Sequence, residues 1–300
     1  MSNTTADLRR KIDGAGDLQG VVRTMKALAA SSIAQYEKSV RALADYNRTV
    51  ELGLSACLRD DALIAAVIDK RRQTGDAMIG AVIFGSDQGL VGQFNDIVVD
   101  YAVKSLSLLN GKPRIWAVGE RTQARLADGA LPVAGVFIVP SSVAAIAPLI
   151  EQILIASDMH QAELAELYLF YNRPTAGSVY APAVQRLLPL DDIWQHKLAK
   201  IAWRPGNIPE VIGQGTVALR ALICEYLFIS LFRACAESLA SENASRLAAM
   251  ERADRNIQEL LENLRGTFYR LRQSDIDEEL FDVISGFEAL ILSSATLPQH

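Results

Sequence analysis

No proline precedes Pro113, and none lies between Pro209 and Pro298. A proline ring removes a backbone donor and clashes with the preceding helical turn. Its absence leaves both ends of the chain free to be helical, while the prolines from Pro113 to Pro209 mark a segmented middle. Cysteine is scarce. Cys57, Cys224 and Cys235 form no C-x-x-C pair, which excludes a disulfide framework and a zinc ribbon. All three are expected as small core residues in a reducing compartment. The histidines, His160, His196 and His300, are isolated, so no nucleophile–base pair can be assembled from them.

A basic excess is also missing. The formal charge is −5, which argues against a general nucleic-acid binder. With half its residues hydrophobic, the 300-residue chain can bury a core of its own, and disorder and collagen-like repeats are excluded. The segment MSNTTADLRRKIDG has no apolar run of the kind a signal peptide needs. The most apolar window, Val217 to Ala236, carries Arg220, Glu225 and Arg233. Mid-bilayer charges are costly, so a buried amphipathic helix is expected there and the chain is not expected to enter a membrane by itself.

The whole-chain charge hides a gradient. Residues 8–48 carry a net +4 and residues 271–290 a net −5, the latter from Asp275, Asp277, Glu278, Glu279, Asp282 and Glu288 against Arg272. Opposite charges favour these ends lying near each other, weakly in salt.

Between Gly215 and Gly266 there is neither glycine nor proline, and strong helix formers dominate. Met250, Ala253, Ile257, Leu260, Leu264, Phe268 and Leu271 recur in steps of three and four, the mark of a coiled-coil seam. A helix from about residue 213 to 290 would span on the order of 115 Å, so another element must cover its seam. The N-terminal stretch supplies one: Val21, Val22, Met25, Leu28, Ala29, Ser32, Ile33 and Tyr36 recur at helical spacing, continuing through Val40, Leu43 and Val50. Two helices docked on one middle domain would run antiparallel. Two unrelated amphipathic helices on a globular core are the alternative.

The middle reads as α/β. Strand-like runs at Ala77–Phe84, Arg114–Val118, Ala134–Val139 and Ala165–Tyr171 alternate with helical stretches at about 94–109, 119–128 and 142–157, which predicts parallel βαβ units. A fifth run, Ser178–Leu190, follows too closely for a crossover and should form a hairpin. The fold class is therefore α/β: a long antiparallel two-helix coiled coil with an inserted Rossmann-like domain. The expected divisions are a helix over 1–70, the α/β domain over 76–200 and a second helix over 210–293.

The most suggestive local motif is the glycine-rich stretch Phe84–Asn95, after the first strand and before a helix. Such a loop could cradle a phosphate. Its glycines are spaced G-x-x-x-G-x-x-G, which is neither the dinucleotide fingerprint nor a P-loop, and no Lys-Ser or Lys-Thr follows. A structural turn is the favoured reading. The acidic run at Asp275, Asp277, Glu278 and Glu279 spreads around a helix and reads as a solvated or partner-facing surface rather than a metal site. No catalytic site, metal or cofactor is expected.

Four blocks carry a family resemblance. Ser241-Glu242-Asn243-Ala244-Ser245-Arg246-Leu247-Ala248-Ala249-Met250, with Ala253 and Asn256, resembles the C-terminal signature of the gamma subunit of F-type ATP synthases. So does Arg272-Gln273-Ser274-Asp275-Ile276-Asp277-Glu278-Glu279-Leu280 with Ile284-Ser285-Gly286. Ser86 to Asn95 is similar to the family's S-D-R-G-L-C-G-x-x-N block, and Ile12 to Ala30 to its first helix.

The resemblance implies a rotor shaft inside a ring of catalytic beta and non-catalytic alpha subunits, with the α/β domain beside the epsilon subunit and on the membrane c ring. It implies a proton- or sodium-translocating complex, peripheral to the cytoplasmic face of the membrane, in which ATP is handled by the ring and not by this chain. It further implies that Met25 meets the catalytic ring and that Arg246, Arg272, Gln273 and Glu279 grip its moving loops. Asp277 stands where the family has threonine. Trp203 and Arg204 fall at a contact to the c ring, where Arg204 replaces an acidic residue. Val91 replaces a cysteine and Gln88 a basic residue. A coiled-coil adaptor and a nucleotide-using enzyme built on Gly85–Gly92 remain the other classes.

Overall fold

The computed structural model describes residues 4–59, 78–129, 131–157, 164–176, 178–190, 194, 198, 201, 211 and 213–295. His160, His196, Trp203, Arg204 and His300 lie outside them. In chain order the elements are α1 (Thr5–Cys57), β1 (Met78–Phe84), α2 (Phe94–Leu106), β2 (Lys112–Val118), α3 (Glu120–Asp128), β3 (Val133–Phe137), a 3-10 turn (Val143–Ala145), α4 (Ile146–Ala156), β4 (Leu164–Arg173), β5 (Ala181–Leu188) and α5 (Gly215–Ala295). The 53 residues of α1 and 81 of α5 far exceed an ordinary globular helix. The chain forms two compact units, one within Met1–Ala27 and Met250–His300 and the other Leu28–Ala249.

In the smaller unit, the start of α1 and the end of α5 run antiparallel. Gln19 bonds to Asp254 and Gln258 at 3.2 and 3.1 Å, Arg23 pairs with Asp254 at 3.5 Å, and Lys26 with Glu251 at 3.8 Å. As one number rises the other falls. Leu8, Ile12, Ala15, Gln19 and Val22 are buried or half-buried, in alternating steps of four and three, which keeps one seam facing the partner helix. On α5 the seam runs through Met250, Ile257, Leu261, Leu264, Phe268 and Leu271. Leu261 is 3% exposed and Leu260 49%, so the seam passes through Leu261, not Leu260. The same holds on α1, where Val21 lies outward. Arg23 and Lys26 of α1 pair with Asp254 and Glu251; every side chain from Arg272 to Phe287 is exposed.

The larger unit is built on a five-stranded sheet of order β3-β2-β1-β4-β5. The first four strands are parallel, and β5 returns antiparallel to β4, as the short connection requires. β1, Met-Ile-Gly-Ala-Val-Ile-Phe, is apolar throughout because both its faces are covered. On one face Ile79, Ala81, Ile83, Ile115 and Ala117 meet Val98, Val99, Ala102 and Leu106 of α2 and Leu126 of α3. On the other, Val82, Phe84, Trp116, Leu167 and Leu169 meet Ile146, Ile150 and Ile153 of α4, Tyr36 of α1, and Leu227, Leu231, Ala234 and Leu239 of α5. The apolar window of α5 therefore buries much of its surface against protein, with Arg220 and Glu225 outward. Cys57 and Cys235 are buried as expected, whereas Cys224 is exposed. Leu28, read as a seam residue, also faces out.

From β1 the chain steps through α2, β2 and α3 to β3 on one side, then returns to β4 on the other side of β1. The C-terminal end of β1 is thus the point where the strand order reverses, the place where open α/β sheets bind ligands. The glycine-rich loop sits at that point.

Candidate functional site

Why this loop turns as it does follows from its side chains. Ser86 donates its backbone N–H to Asn95 Oδ1 at 2.9 Å, Asn95 Nδ2 donates to Ser86 Oγ at 2.8 Å, and Ser86 Oγ donates to the Gln88 carbonyl at 2.9 Å. Thr122 Oγ1 donates to the same Asn95 Oδ1 at 3.1 Å. Asp87 spends both oxygens on backbone: Oδ1 accepts from Glu120 N–H at 3.0 Å and Oδ2 from Val139 N–H at 2.9 Å. The first of these places a carboxylate at the start of α3, where the helix dipole and unpaired N–H groups favour it.

Two glycines are required by contact. A Cβ at Gly85 would lie 1.6 Å from Thr122 Oγ1, and one at Gly119, whose φ is +110°, would meet the Ser86 backbone at 2.6 Å. The side chains of Ser86, Asp87 and Asn95 are spent in holding the turn. Its outer face fastens the domain: Ser245 Oγ on α5 donates to the Val91 carbonyl at 2.5 Å, and Asn172 Nδ2 on β4 donates to the Phe94 carbonyl at 2.9 Å. Gln88 is exposed, and Val91 is buried and packs as the cysteine it replaces would.

The residues expected to contact partners are not gathered into one pocket. Met25 is half-buried on α1 in the smaller unit. Arg272, Gln273, Asp277 and Glu279 stand on the exposed end of α5, in company with the exposed apolar residues Ile276, Leu280, Phe281, Val283, Ile284 and Phe287. Arg246 belongs to the larger unit and turns inward, its Nη2 bonded to Glu242 Oε1 at 2.6 Å and its Nη1 near Asn243 Oδ1 at 3.4 Å.

The role of Glu242 is absent from the sequence reading, although its spacing of four before Arg246 was there to be read. Burial pushes its carboxyl above the ordinary glutamate range, partly opposed by Arg246. The Tyr36 hydroxyl is also raised, by burial and then by Cys235 and Glu242. Asp87, Asn95 and Ser245 figure in the sequence only as motif letters and Asn172 in no motif at all; their contacts link positions far apart in sequence, which spacing cannot reveal. Among the described residues no group of three or more His, Cys, Asp or Glu is placed to hold a metal ion.

Fold and site together define a class: long N- and C-terminal helices and a Rossmann-like sheet whose glycine-rich loop is held by its own side chains. The sequence matches the family described as ATP synthase over residues 4–290, and the chain belongs to that family, in its gamma-chain branch. It is 29% identical to the ATP synthase gamma chain of Syntrophus aciditrophicus (strain SB), over 95% of this chain and 97% of that one. The fold is similar to a chain of the Euglena gracilis mitochondrial ATP synthase rotor in rotational state 1, with a TM-score of 0.59 at 19% identity, covering 91% of this chain and 98% of that one. It also resembles a chain of the OSCP/F1/c-ring structure of the same enzyme in rotational state 3, with a TM-score of 0.60 at 19% identity, covering 98% and 97%.

Proposed function

We propose that this chain is the central rotor shaft of an F-type ATP synthase, turning inside a ring of catalytic beta and non-catalytic alpha subunits and joined to a membrane c ring, with an epsilon subunit against its α/β domain. On this reading it lies at the cytoplasmic face of the membrane as a peripheral subunit and couples proton flow to ATP synthesis or hydrolysis. Sodium is the other candidate ion, and the choice is made in the c ring. The similar structures, a rotor and an OSCP/F1/c-ring assembly, support the partners by analogy.

The observation that carries the reading is the free end of α5. A helix pinned antiparallel to α1 at Gln19, Arg23 and Lys26 continues through residues 272–287 with every side chain exposed, apolar Phe281, Val283 and Phe287 among them. Apolar side chains left in water on a stiff helix supply a surface for a surrounding partner. Torque then works as a population shift: each face of the shaft must bind one conformation of a catalytic site better than another, so rotation selects the sites in turn. Arg272, Gln273, Asp277 and Glu279 are the polar grips on this surface, Met25 is a contact from α1, and Trp203 and Arg204 are assigned to the c ring.

Reconstitution tests it. A catalytic ring stripped of its shaft should regain ATP hydrolysis coupled to rotation when this chain is added. A ring equally active and equally coupled without it would contradict the assignment and favour an adaptor.

A further inference from the structure

A cavity of about 560 Å³ opens in the larger unit between α1, the β4–β5 turn and α5. Three guanidinium groups line it, each from a different element: Arg41 of α1, Arg173 at the end of β4 and Arg233 of α5. The carboxylates of Glu37 and Glu237 also line it and Glu51 acts on Arg233, but among the three arginines only Arg233 is paired within the described residues. Glu237, 8% exposed, accepts the Arg233 Nε–H at 2.7 Å. That bond fixes the guanidinium from beneath and leaves its terminal Nη groups without a hydrogen-bond partner among the described residues. Arg41 and Arg173 have neither an ion pair nor a hydrogen bond there.

Guanidinium groups are planar forks that suit oxyanions, which they bind with paired, charge-assisted hydrogen bonds. One fork is held by a buried carboxylate and two are unspent at the same cavity, beside the Glu37 carboxylate and a Glu237 Oε2 that has no hydrogen-bond partner of its own among the described residues. The cavity falls within the span of small-molecule sites, roughly 300–1,000 Å³, so a phosphate with a substituent fits it. The lining holds no aromatic ring to stack on a base, which leaves the phosphate itself as the recognised group.

We propose that this cavity binds a phosphate-bearing small molecule, with Arg41, Arg173 and Arg233 as its donors and Glu237 positioning Arg233. The proposal does not depend on the rotor reading.

Calorimetric titration of the whole chain with inorganic phosphate and with pyrophosphate tests it, alongside flotation with phosphatidylglycerol and phosphatidylcholine vesicles. Saturable pyrophosphate binding is expected, weakened about tenfold or more by Arg173→Gln and by Arg41→Gln, and weakened less by Arg173→Lys. Glu237→Gln should weaken it several-fold while leaving all three arginines in place. Flotation with phosphatidylglycerol that pyrophosphate reverses identifies a lipid headgroup as the source; pyrophosphate binding without flotation identifies a free phosphate compound. Arg41 and Arg173 are exposed, so both substitutions leave the fold intact, and unchanged thermal unfolding checks this. No saturable binding at millimolar pyrophosphate, binding that the arginine variants leave unchanged, or preference for an acidic peptide overturns the proposal.

Discussion

The Ser245 hydroxyl on α5 donates a hydrogen bond of 2.5 Å to the main-chain carbonyl of Val91, in the loop that follows β1. Both residues are buried, so the bond closes a polar gap between the long helix and the α/β domain that carries it. Ser245→Ala should therefore cost about 1–3 kcal/mol, because it leaves a buried acceptor unpaired. Urea unfolding checks this. A loss below the error of the measurement would mean that the carbonyl finds another partner.

The loop itself makes a contrast of neighbours. Gly85→Ala drives a methyl to within 1.6 Å of Thr122 Oγ1 and should destabilise by roughly 3 kcal/mol or more, at the upper end of overpacking costs. Gly89→Ala meets only the far end of Arg121, at 3.7 Å, and should change stability by about 1 kcal/mol or less. If the loop instead served a nucleotide, Gly89→Ala would abolish nucleotide binding by the chain while sparing its fold.

The helical seam is tested by adjacent leucines. Leu261→Ala should cost about 2–5 kcal/mol and Leu260→Ala much less, since only the first leaves a cavity between packed helices. Local hydrogen exchange along residues 250–271 is the suitable readout. Equal protection in both variants would contradict the register.

Glu242 gives the chain a pH signature. Tyr36, Cys235, Asp87 and Arg246 face its buried carboxyl, and burial raises its pKa. The folded state thus holds this proton more tightly than the unfolded chain does. The contribution is complete below the ordinary glutamate value of about 4.3 and declines as pH rises through the raised value. Glu242→Gln should remove that decline. The difference in unfolding free energy between the two proteins should therefore shift in favour of the variant as pH rises through this window. A difference independent of pH would contradict the assignment.

These tests also mark how far the sequence was legible. The sheet was open to reading because its strands are short apolar runs bounded by turn residues, and the hairpin followed from the length of the link between β4 and β5. The helices were legible from missing prolines. Their exact faces were not: Leu260 and Leu261 are both apolar and adjacent, and only the partner helix decides which one is covered. The charge gradient favoured the two ends lying near each other but did not say which charges pair: Arg23 and Lys26 meet Asp254 and Glu251 in the packed seam. Arg246 stays a proposed partner grip, and its pair with Glu242 rests on burial that no single-residue property announces. The loop over Phe84–Asn95 was legible as a place where the chain turns, but its tie to Ser245 spans 154 positions and could only be seen folded.

The most direct measurement of the central claim is the number of ions pumped per ATP hydrolysed by membrane vesicles carrying the assembled complex, with this chain intact or ended after Leu271. Removing the exposed end of α5 deletes Phe281, Val283 and Phe287 with the polar grips Arg272, Gln273, Asp277 and Glu279, and leaves the packed seam in place. The account predicts that ATP hydrolysis persists at a reduced rate while pumping per ATP falls. An unchanged pumping ratio and an unchanged rate would contradict it.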